Sequence, residues 1–176
     1  MPTILRGLLL IGLVMLARPA WAADSFISLA KNDPAYVTVG GGYFDFNRKK
    51  DEGAEFDLEY RSNYQLWWFK PFVHFAGATN GMTFMGAGVL IDMQVGDNWI
   101  VQPSFAPTYW RGKTDTLDLG YSLEFRSRLE VAYRFKDKSR LGFSISHSSN
   151  ASLGDTNPGT ESLMVNVSIP TTYFTK

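Results

Sequence analysis

The chain has 176 residues, with 17 basic and 17 acidic residues, 16 glycines, 15% aromatic residues and no cysteine. Such balanced charge gives nucleic-acid binding no electrostatic support, because that binding draws on a cationic excess facing phosphates. The lack of cysteine excludes a disulfide scaffold and thiolate metal or redox chemistry.

In chain order, residues 1–22 read as a secretory signal peptide. Arg6 supplies the positive start, Gly7 to Leu16 an apolar run, and Ala20-Trp21-Ala22 the cleavage pattern. That run is ten residues long, about half of the roughly 20 a membrane helix needs. Cleavage after Ala22 takes Arg6 and Arg18 with it and leaves one domain, 23–176, with 15 basic and 17 acidic residues and a net charge of −2.

Strands are expected at residues 36–46, 54–64, 67–78, 82–94, 98–110, 117–135, 139–149 and 161–173. The clearest is 117–135. Its odd positions carry Leu117, Leu119, Tyr121, Leu123, Phe125, Leu129, Val131, Tyr133 and Phe135, with Ser127 the single polar interruption. Its even positions carry Asp118, Glu124, Arg126, Arg128, Glu130 and Arg134. Period-two patterning over this length is a strand signal, and it exceeds the ordinary soluble strand of about 5–6 residues. Phe56 to Arg61 and Trp67 to Phe75 repeat the pattern, and short polar or Gly-containing segments between the runs read as hairpin connections.

The fold expected is all-β, an eight-stranded antiparallel outer-membrane β-barrel with a polar interior and an apolar exterior. A soluble lipocalin-like barrel shares the periodicity but turns its apolar face inward; strand length and aromatic content favour the membrane form. The interior of eight strands is just wide enough for side chains to fill. Glu59, Arg61, Glu124, Arg126, Arg128, Glu130 and Arg134 are expected to form a network there, with His74 a structural residue beside them. Trp67, Trp68, Trp99, Tyr109 and Trp110 fall at strand ends, as interfacial anchors do. Lys49, Lys50, Arg111 and Lys113 lie in loops, either facing lipid phosphates or solvated.

Residues 147–161 carry the chemistry. His147 and Ser149 continue the outward phase of Leu141, Phe143 and Ile145. Glu161 is in step with Leu163, Val165, Val167 and Ile169 on the next strand. A serine becomes a nucleophile when a base takes its proton and a third group holds that base. Directly opposed strand residues lie about 4.5–5.5 Å apart, within reach for Glu161 and His147. Asn150, Asn157 and the N–H groups around Gly159 can supply an oxyanion site. Such polar groups on a lipid-side face default to function, although at headgroup level they can equally form an interfacial hydrogen-bond network in a structural or adhesive barrel.

His147-Ser148-Ser149-Asn150, Asn157-Pro158-Gly159 and Glu161 resemble the active-site signature of the outer-membrane lipid A 3-O-deacylases (PagL), and the eight-strand pattern resembles that family over the whole mature chain. The resemblance implies a serine esterase that removes the 3-position acyl chain of lipid A in lipopolysaccharide, at the outer leaflet. It implies Ser149 as nucleophile, His147 as general base and Glu161 as the orienting acid. Asn150, Asn157 and Gly159 would be oxyanion or positioning groups. It implies no cofactor and no metal; the partners are lipid A and the membrane lipids, and no oligomeric state is set. The chain departs from such barrels at its end, where the aromatic Phe174 is third from last rather than terminal.

Overall fold

The computed structural model describes residues 26–30, 32–112 and 116–175. The leader expected at 1–22 and the loop cation Lys113 lie outside them. The strands are β1 (Ile27–Leu29), β2 (Tyr36–Phe44), β3 (Gly53–Arg61), β4 (Lys70–Ala78), β5 (Thr83–Leu90), β6 (Met93–Val95), β7 (Trp99–Arg111), β8 (Leu123–Arg134), β9 (Arg140–Ser149) and β10 (Thr160–Pro170).

All pairings are antiparallel, and the additional β7–β8 ladder closes the sheet. Eight staves result, because β5 and β6 both pair with β7 and form one stave broken at Ile91-Asp92. β4 ends opposite Leu90, and β1 takes over the pairing with β6. Closure satisfies the backbone within the barrel, the condition for strands to cross lipid. The loops 45–52, 79–82 and 150–159, together with residues 112 and 116–122, lie at one end, the loop end, and the connections 62–69, 96–98 and 135–139 at the other, the turn end.

Alternation gives each face its chemistry. On β3, Phe56, Leu58 and Tyr60 are exposed, and Glu55, Asp57, Glu59 and Arg61 are buried. On β9, Leu141, Phe143 and Ile145 point out while Arg140, Ser144 and Ser146 point in. The interior is an ionic network. Arg61 lies 2.7 Å from both Glu130 and Glu59, Arg128 donates to Glu59 at 2.7 Å, and Arg126 donates to Asp57 at 2.9 Å. Each ion has partners from other staves, as buried charges must. His74 is buried among them, accepting from Arg126 at 3.2 Å through Nδ1 and donating to Thr108 at 3.0 Å through Nε2.

Two members of the expected network stand elsewhere. Arg134 pairs with Asp33 at the turn end, 3.1 Å away, in a second knot with Lys138 and Arg140. Glu124 is fully buried, and neither of its carboxylate oxygens has a hydrogen-bond partner among the described residues.

The loop end differs most from expectation. Leu117 to Ser122 is no strand; β8 starts at Leu123. The Asp118 side chain accepts from the N–H of Gly120 at 2.9 Å, and Gly120 sits at φ +85°, which turns the chain inward. Leu117 and Leu119 are buried with Phe44, Met82, Phe84 and Trp110 in an apolar plug at the barrel mouth. Trp110 is therefore an interior residue, not an interfacial anchor. Trp67, Trp99 and Tyr109 are exposed, as anchors should be, and Trp99, Tyr133 and Phe135 stack edge to face at the turn end.

Candidate active site

The loop ends of β9 and β10 hold the candidate residues. The ladder sets Glu161 opposite His147 and Thr160 opposite Ser148. On the other side, β8 sets Ser127 opposite His147 and Phe125 opposite Ser149. His147 and Ser149 share the outward face, above Ile145 and Phe143, while Ser146 and Ser148 are buried inward.

His147 Nδ1 is 2.9 Å from Glu161 Oε1. A carboxylate accepts, so the hydrogen belongs on Nδ1 and the lone pair on Nε2, ready to take a proton. The imidazole is 45% exposed and the Glu161 side chain 13%. The pair is thus shielded on the carboxylate side and open on the side from which a substrate would come. Ser149 is half-buried, two residues on, and no hydrogen bond joins it to His147 among the described residues. Catalytic hydrogen bonds in enzymes without substrate are often long or misaligned and tighten on binding.

Asn150 is a knot rather than an open donor. Its side-chain NH₂ donates to Leu119 O at 2.8 Å and Thr156 O at 2.7 Å, and its Oδ1 accepts from Ser152 N at 2.9 Å. Its backbone N–H donates to Asn157 Oδ1 at 3.0 Å. Asn150 therefore ties the 150–159 loop to the plug, and Asn157, which is exposed, uses its Oδ1 in that bond. Gly159 is buried at φ +64°. A Cβ there would lie 3.0 Å from the His147 ring and 3.4 Å from Arg48 Nη2. Glycine serves both the backbone conformation and the space for the imidazole.

Arg48, in the 45–52 loop, was not marked by the sequence pattern. Its Nε lies 3.5 Å from Glu161 Oε2. An arginine in a polar loop has no periodicity to betray it. Lys49 and Lys50 beside it are exposed, like Arg111 at the end of β7. Among the described residues no cluster of three or more His, Cys, Asp or Glu is placed to hold a metal ion.

The family model described as lipid A 3-O-deacylase (PagL) matches residues 48–170. The crystal structure of the outer membrane enzyme PagL is similar at a TM-score of 0.63 and 19% identity, over 77% of this chain and 99% of that one. A de novo designed transmembrane β-barrel is similar at a TM-score of 0.54 and 12% identity, over 80% and 98% of the two chains. At such identities the structures speak for the fold. No curated protein matches the chain significantly by sequence.

Proposed function

As the chain belongs to the lipid A 3-O-deacylase (PagL) family, we propose that it hydrolyses the 3-O-linked acyl ester of lipid A with Ser149, His147 and Glu161 as a triad. The leader at 1–22 directs export, and the loop end faces the cell exterior, which sets the triad at the outer leaflet. Ser149 Oγ attacks the ester carbonyl while His147 Nε2 takes its proton. Glu161 stabilises the imidazolium that results. The tetrahedral intermediate collapses, His147 returns the proton to the departing sugar oxygen, and the acyl chain stays on Ser149. Water, deprotonated by His147, then releases the fatty acid. Asn150 holds the loop in place, and the exposed NH₂ of Asn157 is the side-chain donor left for the oxyanion.

The observation that carries this reading is the 2.9 Å His147–Glu161 contact on a face otherwise given to lipid. A polar pair there, with the imidazole open outward, suits an ester that arrives laterally from the leaflet; polar groups at lipid depth default to function. Purified, folded protein incubated with lipid A should yield, by mass spectrometry, lipid A lacking one hydroxyacyl chain. An unchanged mass with folded protein would count against the reading.

A further inference from the structure

The 45–52 loop is built onto the strand that carries Glu161. Buried Asp45 accepts from the N–H groups of Lys50 at 2.7 Å and Asp51 at 3.0 Å, and from the Thr160 hydroxyl at 3.3 Å. The N–H of Phe46 donates to the Glu161 carbonyl at 3.2 Å. These bonds fix where the loop passes, and Arg48 reaches the carboxylate from there.

The two oxygens of Glu161 have different company. Oε1 meets His147 Nδ1 at 2.9 Å. Oε2 is buried and has no hydrogen-bond partner among the described residues, and Arg48 Nε, at 3.5 Å, is its ionic contact. Guanidinium Nη2 and the imidazole both border the space above Gly159. A mostly buried carboxylate without a countercharge turns toward water, because burying a charge unpaired is costly. A cation on Oε2 opposes that rotation and keeps Oε1 on the imidazole.

We propose that Arg48 is a positioning residue, which holds Glu161 in the rotamer that orients His147 and acts on the reaction only through Glu161. This rests on the triad reading above. Arg48 does not have to touch the lipid, so its contribution belongs in kcat rather than KM.

The test is a double-mutant cycle on purified, folded protein, with lipid A in detergent micelles and folding checked by heat-modifiable gel mobility. Arg48→Ala should lower kcat by about 5- to 100-fold, the range for coupled neighbouring groups, with KM unchanged. Arg48→Lys should recover part of the loss. In the Glu161→Ala background, Arg48→Ala should cost nothing further. The same fold loss in both backgrounds overturns the proposal, as does a raised KM at constant kcat, which would make Arg48 a lipid headgroup contact. Should Arg48→Ala fail to fold, Arg48→Gln carries the same comparison. If Glu161→Ala is itself fully active, the triad reading fails; if it is inactive-like and Arg48→Ala is silent, Arg48 alone is dismissed.

Discussion

Two regions of this barrel use arginine, glutamate and histidine in opposite ways. In the interior, Arg61, Glu59, Glu130 and Arg128 are buried and cross-linked, each to more than one partner. At the rim, Arg48, Glu161 and His147 form a single file, and the imidazole at its end is 45% exposed. The interior network satisfies these four charges from more than one side and shuts them off from the lipid, so none of them is available to react. At the rim Glu161 stands between Arg48 and His147, the imidazole is held on its Nδ1 side, and Nε2 is left for a proton. Burial and the number of partners, rather than residue type, separate a structural ion network from a candidate catalytic one.

Four variants break or sharpen that contrast. The largest effect is expected for Ser149→Ala, a loss of about 10⁴–10⁶-fold in deacylation rate, measured with folded protein whose heat-modifiable mobility matches the wild type. Glu161→Gln keeps the shape but not the charge, and should cost roughly 10⁴-fold, again without unfolding the barrel. Arg61→Ala should do the reverse. It takes one buried cation from both Glu59 and Glu130, at a cost of about 3–5 kcal/mol, read as a lower urea midpoint in lipid vesicles, while the rate per folded molecule holds. The smallest effect concerns the turn end. Burial alone would push the Asp33 carboxyl up, but Arg140, Lys138 and Arg134 outweigh it and hold the group below its usual range. A carboxylate with a depressed value stabilises the fold above its unfolded value of about 3.9, and that stability is lost as pH falls through the folded value. Asp33→Asn should therefore melt below wild type at pH 7, and the gap should close as the pH falls below about 4.

Much of the barrel was legible in the sequence because a period of two reports which side of a sheet a residue faces. His147, Ser149 and Glu161 were found through phase, and the β9–β10 register does oppose Glu161 to His147. What period two cannot report is whether a segment is paired at all. Leu117 and Leu119 kept the outward phase of β8, yet they fold over the mouth, where an apolar plug takes the same residues that lipid would. Trp110 and Glu124 show related limits: Trp110 sits on the inward face of its strand, inside the plug rather than at the membrane interface, and an inward carboxylate need not find a cation. Arg48 was invisible because its role depends on where Asp45 ties a loop to Thr160, a contact between distant segments. Asn150 carries the donors an oxyanion needs, but its side-chain NH₂ is taken by the carbonyls of Leu119 and Thr156, contacts that a sequence does not display.

The central claim is that the rim triad deacylates lipid A. It is tested most directly by the lipid A mass spectrum of cells producing the wild-type protein beside cells producing Ser149→Ala, both folded in the outer membrane. Loss of one 3-hydroxyacyl chain in the wild type alone is the predicted result. Identical spectra would contradict it.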